Sequence, residues 1–501
     1  MKLTPNHRTS PVPVSDIQRA VRRALAAPAS VALLAAAGFA AVTPAHAQSS
    51  TVSNSPISSD AKPTFSAGPL DITFGGFTAL ESVWRSKDET ADIGSNYNTL
   101  IPFAYQPQDH FDEFRESARQ SRFAMLVQGP QDGAWSAQYY LETDFLSAGV
   151  TSNSNESNSY TLRMRHFYGV LRNSDADWYL LAGQTWSLAT MSTSGTLAPR
   201  AEQVPLTIDA QYAVGFNWTR NAQLRFVKLL GNTASFGLSF ESPQGQFAGG
   251  ATPSTTITTE PGQGSGLLNT GANYAIDFAP DTIAKFAINP GWGHYEIYGM
   301  ERGFRDRYEP IKGSVAGTNN TTWGGSVGAG VILPFTKQLD FQASALWGNG
   351  IGRYGSGGLP DYVVNPDGSI SAIREADVLL GLVYKPTSRL QLYAYGGEEQ
   401  AQQTGATAVG TTLYGYGNPD QVTSGCYLLT GTSATCAVNT QKLEQLILGE
   451  WWKAYDGPIG NFQIGLQYTY EDRLAFLGRG GAPSTNLNMG FASFRYYPYQ
   501  R

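Results

Sequence analysis

Long runs in which apolar and polar residues strictly alternate restrict the fold of this chain more than any other feature. In residues 134–145, every second position from Trp135 to Phe145 is mainly apolar, and the others include Glu142 and Asp144. Residues 461–473 repeat the pattern. A period of two indicates β-strands with one apolar face, and about 10 residues is the length that a tilted strand needs to cross a bilayer. Strands of a soluble sandwich are usually shorter, about 5–6 residues.

The segments between these strands alternate between short turns and long loops. Seven short turns carry the Gly, Pro and Asn residues of tight bends, and they lie at 130–133, 173–176, 231–232, 289–291, 334–337, 386–388 and 456–458. Eight long loops cover about 87–118, 148–159, 188–219, 243–280, 307–322, 349–373, 400–440 and 475–485.

Seven short and eight long connections join about 16 strands, an even number that puts both termini on the short-turn side. A membrane sheet has to close, because lipid offers no partner for a free backbone edge. Residues 71–501 are therefore predicted to form an all-β, closed antiparallel transmembrane β-barrel with short periplasmic turns and long extracellular loops. Aromatic pairs near the strand ends are assigned to the interfacial girdle; they include Trp178-Tyr179, Trp451-Trp452 and Tyr496-Tyr497.

The first 47 residues have the pattern of a cleaved secretory signal peptide. Five basic residues precede an apolar run from Ala24 to Val42, and Ala45-His46-Ala47 supplies the small-x-small cleavage pattern. An uncleaved N-terminal anchor is the alternative. Residues 48–70, rich in Ser, Asn and Pro, are predicted to be a flexible polar periplasmic lead-in. A barrel exported in this way is expected in the outer membrane of a Gram-negative cell.

Composition restricts the functions that such a chain can have. Only 15% of the residues are charged, against about 25% in ordinary soluble domains. Removal of residues 1–47 leaves 29 basic and 39 acidic residues, a net charge of −10, so no nucleic-acid partner is expected. Three histidines remain, His110, His166 and His294, without a metal-ligand or nucleophile motif. No cofactor, metal site or catalytic residue is predicted.

Arginines at inward-facing strand positions are the predicted pore-lining residues. On 161–171 the apolar side chains, Leu162, Tyr168 and Val170 among them, are assigned to the lipid face, so Arg163 and Arg165 point inward. The same alternation turns further charged residues of neighbouring strands inward, namely Arg122, Arg225, Arg302 and Glu296. An arginine facing lipid at mid-membrane costs about 2–4 kcal/mol, whereas lumen arginines attract anions and bind carboxylates bidentately.

Each of these arginines has a second possible role. Glu142, Asp144 and Glu471 point into the same lumen, and lumen walls commonly pair opposite charges. An arginine bonded to a wall acid would stabilise the barrel rather than bind solute, and the sequence leaves both roles open. Glu142 and Asp144 are themselves predicted to line the pore.

Cys426 and Cys436 lie in one long loop with nine residues between them. In an oxidising compartment, such a pair is predicted to form a local disulfide. Free thiols are the alternative, because spacing does not fix distance in space.

Several segments resemble the DcaP-like group of porins. They are DITFGGFTALESVW (71–84), RQSRFAMLVQG (119–129), LLAGQTWS (180–187) and PDTIAKFAIN with WGHYEIYGMERGF (280–304). The resemblance implies a 16-stranded trimeric channel for small anions, with dicarboxylates as the substrate class. It also implies that the third long loop, 188–219, which carries Arg200, Glu202 and Asp209, folds into the lumen to narrow it. An ordinary external loop is the alternative. The chain departs from the usual terminal aromatic residue by ending Gln500-Arg501.

The sequence therefore predicts passive diffusion of small, anionic, dicarboxylate-like solutes through an arginine-lined constriction, without enzymatic activity. A general diffusion porin without anion preference is the nearest alternative, followed by a barrel without a channel, either an adhesin or a lipase-like enzyme. Expected partners are outer-membrane lipid and lipopolysaccharide, the anionic solutes and two further copies in a homotrimer. The closing strand, 487–499, is expected to contact the barrel-assembly machinery.

Overall fold

The computed structural model describes residues 64–89, 91, 93, 98–148, 160–253, 256–258, 275–309 and 316–499. The predicted signal peptide and residues 48–63 of the predicted lead-in lie outside the described residues. The last residues of that lead-in form a short strand, Thr64–Ala67, which pairs antiparallel with Leu70 to Thr73. The sheet therefore begins before residue 71, the predicted start of the barrel.

Sixteen antiparallel strands form one closed sheet, as predicted. In chain order they are β1 Leu70–Arg85, β2 Glu113–Ser117 with Arg122–Gln128, β3 Trp135–Ala148, β4 Tyr160–Asn173, β5 Trp178–Trp186, β6 Arg220–Leu230, β7 Ala234–Glu241, β8 Asp281–Ile288, β9 His294–Tyr308, β10 Thr318–Pro334, β11 Leu339–Asn349, β12 Arg374–Tyr384, β13 Leu390–Ala401, β14 Thr440–Gly457, β15 Gly460–Ala475 and β16 Ser484–Tyr497. Both segments of β2 pair with β1. The barrel closes where β16 pairs with β1, from Thr78 opposite Tyr496 to Arg85 opposite Met489, so each strand has the two neighbours that a membrane sheet requires.

The connections follow the predicted alternation of short turns and long loops. The loops add short strands at Thr256–Ile257, Tyr362–Val364, Ile370–Ala372, Thr404–Val409 and Thr412–Tyr416, and 3₁₀ turns at Pro107–His110, Ala210–Tyr212, Gly352–Tyr354 and Ser424–Tyr427. None of the helices in the described part of the chain is long and apolar enough to span a membrane.

Strand β4 departs from the predicted alternation after its midpoint. Leu162 faces outward as predicted, but Tyr168 and Val170, which were assigned to the lipid face, are buried. The pairing of β4 with β3 skips Arg165, which is therefore an extra residue in a β-bulge. One extra residue reverses the alternation beyond it. Arg165 and His166 consequently both face the lumen, and so do the two residues that the prediction placed in lipid.

The aromatic pairs are divided between the two faces of the sheet. Trp452 is 47% exposed on the outer face, but Trp451 is buried in the lumen and donates from its indole nitrogen to the carbonyl of Leu206 at 2.7 Å. Tyr179 and Tyr497 are also buried. The prediction that both residues of each aromatic pair belong to the interfacial girdle was therefore wrong. Adjacent residues of a strand point to opposite faces, so one residue of a pair faces the lumen.

The third long loop, residues 187–219 and named L3 below, crosses the lumen to the opposite wall. Its backbone amide groups donate to wall side chains: Ile208 N to Gln467 Oε1 at 2.7 Å, Val214 N to Gln445 Oε1 at 2.9 Å and Gly215 N to Glu399 Oε1 at 2.8 Å. These acceptors lie on β15, β14 and β13. The predicted infolding of this loop is therefore present, and glutamine and glutamate side chains of the far wall fix its position.

The sixth long loop, residues 350–373 and named L6 below, also enters the barrel. Gly357 N donates to Glu399 Oε2 at 2.8 Å, so one carboxylate holds both loops. Ser356 Oγ donates to the carbonyl oxygen of Phe216 in L3 at 2.9 Å. L3 and L6 are thus joined to each other as well as to the wall.

Candidate functional site

A small cavity of about 60 Å³ lies between L3 and the inner face of β2 to β5, and it is named the neck cavity below. Four arginines contribute to its lining, Arg122, Arg165, Arg200 and Arg495, together with three acids, Glu142, Glu202 and Asp209. Aromatic side chains of the wall complete it, Tyr140, Tyr168 and Trp186. The structure thus brings together four predicted residues of the wall and L3, Arg122, Arg165, Arg200 and Glu142.

The two wall acids predicted to line the pore are bonded to arginines of β4. Arg165 donates to Glu142 Oε1 at 2.6 Å and to Asp144 Oδ2 at 2.9 Å. Arg163 forms a bidentate pair with Asp144 at 3.0 and 2.8 Å. Arg165 and Asp144 are almost completely buried, whereas Arg163 keeps about a third of its side chain exposed. Strand parity turns Arg163 and Arg165 toward these acids, and the bulge adds His166 to the same face.

Arg122 is less completely paired than Arg165. Its nearest carboxylate, Glu142, lies at 3.6 Å and already accepts hydrogen bonds from Arg165 and from the hydroxyl of Tyr140. The guanidinium lies over the ring of Phe77, 5.2 Å from its centroid. Arg122 therefore retains donor capacity beside the neck cavity.

Arg225 faces inward on β6 as predicted, but it lies behind the cavity lining. Its guanidinium donates to Gln223 Oε1 at 2.9 Å and to the carbonyl of Trp186, and it lies 3.9 Å from Glu202 Oε1. Arg225 thus acts on the neck cavity chiefly through Glu202, whose charge it offsets.

L3 brings Arg200, Glu202 and Asp209 to the neck cavity. The guanidinium of Arg200 lies 5.3 Å from the centroid of the Tyr140 ring. Asp209 is buried and accepts a long hydrogen bond of 3.4 Å from Gln120 Nε2. Burial raises the pKa of the Asp209 carboxyl to about 8, and the carboxylate of Glu81 adds to the increase. Asp209 is therefore mainly uncharged at neutral pH, which makes the neck more positive.

Two arginines of this region were not predicted. Arg495 on β16 lines the neck cavity, donates to Glu81 Oε1 at 2.6 Å and reaches the carbonyl of Ile208 in L3 at 2.8 Å. Its strand parity, opposite to the outward Phe494, could have identified it. Arg220 stacks on Trp186 and Trp218 at 4.9 and 5.1 Å. No sequence signal identifies it, because it shares the parity of the outward Ala222.

Arg302 faces inward as predicted but does not join this cluster. It donates to Asp281 Oδ2 at 3.1 Å, to Asp361 Oδ1 at 2.6 Å and to the carbonyl of Gln244 at 2.8 Å. Glu296 is similarly engaged, bonded to Lys285 at 2.7 Å and to the amide of Ser192 at 2.9 Å. Both residues hold loops against the wall, which is the structural role that the sequence left open.

A wider cavity of about 370 Å³ lies at the short-turn end of the lumen and is named the vestibule below. Its lining includes Gln128, Gln138, Arg172 and Tyr179 of the wall and Thr196, Ala198 and Pro199 of L3. The neck cavity and the vestibule thus adjoin neighbouring residues of L3.

The predicted cysteines lie outside the neck, whereas His166 lies in it. Cys426 and Cys436 form a disulfide in the seventh long loop. Both are buried against Phe103 of the first long loop and Ala475 at the end of β15, so the bond lies in a core that joins two outer loops to the barrel. His166 lines the neck cavity, and its Nδ1 lies 3.0 Å from Thr185 Oγ1.

Comparison with known proteins identifies the fold. The chain is similar to the outer membrane channel DcaP of Acinetobacter baumannii, with 18% identity over 87% of this chain and 99% of that chain and a TM-score of 0.57. It also matches an anion-selective porin from Comamonas acidovorans, with 9% identity over 85% and 99% and a TM-score of 0.46, and OmpT of Vibrio cholerae, with 9% over 87% and 99% and a TM-score of 0.44. No protein-family model and no curated protein sequence matches the chain. The chain therefore has the barrel fold of the DcaP structure.

Proposed function

We propose that this chain is an outer-membrane channel through which small anionic, dicarboxylate-like solutes diffuse passively. The observation that carries the proposal is the convergence of arginines from β2, β4, β16 and L3 at the place where L3 crosses the lumen. Fixed positive charge at the narrowest part of a pore lowers the energy of an entering anion and raises that of a cation.

The acids of the neck do not cancel this charge. Glu142 and Asp144 share Arg163 and Arg165, Glu202 lies beside Arg225, and Asp209 is mainly protonated at neutral pH. Arg122 and Arg200 therefore provide charge beyond that needed for pairing. The net charge of −10 does not oppose anion entry, because distant exposed charges are screened over about 8–10 Å at physiological salt.

The outer face of the barrel carries exposed apolar side chains, as contact with a lipid bilayer requires. Leu162, Leu224, Ile297 and Leu466 are 46–61% exposed on outward positions of four strands. A continuous apolar exterior on a closed barrel is typical of bacterial outer-membrane proteins, which supports an outer-membrane location and contact with lipid and lipopolysaccharide. A homotrimer, which the resemblance to DcaP-like porins implies, is part of the proposal.

Uptake of three solutes of equal carbon chain length tests the proposal. Proteoliposomes that contain the protein should take up labelled succinate faster than 1,4-butanediol, and butanediol faster than 1,4-diaminobutane. Protein-free liposomes provide the baseline. Equal rates for succinate and diaminobutane would indicate a general porin, and baseline rates for all three would indicate a barrel without a channel.

A further inference from the structure

Four polar atoms of residues that line the neck cavity have no hydrogen-bond partner in the described structure. They are Arg122 Nε, Arg200 Nη1, Tyr168 Oη and Thr207 Oγ1. Each belongs to a group that can donate a hydrogen bond. Of the described carboxylates that line the same cavity, Glu142, Glu202 and Asp209, no oxygen is both fully buried and without a partner. The buried atoms without a partner at the neck therefore all belong to groups that an acceptor would satisfy.

These four groups come from two structural units. Arg122 and Tyr168 lie on the wall strands β2 and β4, whereas Arg200 and Thr207 lie on L3. An acceptor bound among them would therefore contact wall and loop at once. Buried polar groups in native structures are normally satisfied, and the cavity of about 60 Å³ is larger than the space one water molecule requires.

Backbone geometry holds two of these side chains in place. Arg200 has φ of 65°, in the left-handed region that residues other than glycine rarely adopt. Such conformations persist where the surrounding structure imposes them, and they are concentrated at functional sites. Gly183 on β5 has φ of 130°, and a Cβ atom there would lie 2.7 Å from the Cα atom of Tyr168. Any other residue at position 183 would therefore displace the backbone of Tyr168.

We infer that Arg122, Tyr168, Arg200 and Thr207 form a binding site for one carboxylate group of a passing solute. The two guanidinium groups supply charge, and the two hydroxyl groups supply directed donors that a halide ion uses less well than a planar carboxylate. Tyr140 and Trp186 flank the site and leave an apolar surface for the carbon chain of the solute. This inference rests on the proposed function, since it gives the neck of the anion channel a defined ligand and makes conduction saturable.

Single-channel conductance in sodium acetate tests the site, with sodium chloride as the reference salt. Acetate carries one carboxylate and is the probe throughout. The native channel should saturate with acetate at a concentration where chloride conductance still rises linearly. Tyr168→Phe removes one hydroxyl at nearly constant size and should raise the half-saturating acetate concentration about tenfold, as expected for a hydrogen bond to a charged group. Thr207→Val, which replaces a hydroxyl with a methyl group, should act in the same direction.

Tyr468→Phe is the matched control, because its side chain is exposed on the outer face of the barrel and its hydroxyl donates to Asn488 Oδ1 at 2.7 Å. It should leave acetate saturation unchanged. Linear acetate conductance in the native channel, or saturation that neither Tyr168→Phe nor Thr207→Val alters, would overturn the inference. Either result leaves the proposed function intact if the channel still prefers anions, whereas loss of that preference in the native protein would overturn the proposed function itself.

Discussion

Replacement of Arg200 by glutamine should lower the anion selectivity of the channel without unfolding it. Arg200 forms no ion pair within 4 Å among the described residues, and one of its guanidinium nitrogens lacks a partner. The substitution therefore removes one uncompensated charge from the neck cavity. Glutamine also keeps a donor, so the hydrogen-bonding capacity is reduced rather than abolished.

The size of the effect follows from Coulomb's law. A unit charge roughly 6 Å from a passing anion contributes about 0.7–3 kcal/mol for effective dielectric constants between about 80 and 20. Since about 1.4 kcal/mol is a tenfold ratio and salt weakens the interaction, the chloride-to-potassium permeability ratio should fall about three- to tenfold in Arg200→Gln.

Zero-current potentials across a planar bilayer measure this ratio directly. Arg172→Gln is the matched control, because Arg172 is exposed in the vestibule, where the lumen is wide. It should change the ratio less than about twofold. If Arg200→Gln leaves the ratio unchanged, or if both variants lower it equally, the reasoning that places selectivity at the neck cavity is wrong.

Three further predictions concern the wall, the neck cavity and the position of L3. Arg165→Gln leaves Glu142 and Asp144 with one arginine fewer, so the free energy of unfolding of the barrel should fall by about 3–5 kcal/mol. Thermal unfolding in detergent measures this loss, and an unchanged Tm would contradict the stabilising role of these ion pairs. Asp209 is neutral below its pKa of about 8 and charged above it, so the anion preference of the channel should fall as the pH rises through 8. This decrease should be absent in Asp209→Asn. If Asp209→Asn shows the same decrease, the titrating group is not Asp209. Glu399→Ala removes the acceptor of the Gly215 and Gly357 amides, so L3 should become more mobile and the single-channel conductance should rise or fluctuate. Glu399→Gln keeps one carbonyl oxygen and should resemble the native channel. Equal conductance of the two variants would contradict the role of Glu399 in holding L3.

The barrel could be predicted from the sequence because its signals are local. A period of two, the alternation of short and long connections and an even strand number need no knowledge of distant contacts, and the strand pairing agrees with all three. The errors arose where one residue changes the phase of a strand. The bulge at Arg165 reversed the faces of Tyr168 and Val170, since neither composition nor spacing reveals a single inserted residue.

The neck could be predicted only in part, because it is assembled by a loop. Arg122, Arg163 and Arg165 followed from strand parity, and the resemblance to DcaP-like porins implied that L3 folds inward. The partners of each arginine depend on long-range contacts. Arg302 meets Asp361 of L6, 59 residues away, and therefore holds a loop instead of lining the neck. Thr207 and Tyr168 carry no charge that would single them out in a sequence.

Anion preference at the neck is the central claim, and the zero-current potential of the native protein under a KCl gradient tests it most directly. Purified protein in a planar bilayer should give stepwise conductance and a potential whose sign shows that chloride is more permeant than potassium. A potential of the opposite sign would contradict the role assigned to Arg122 and Arg200, even if the protein conducts.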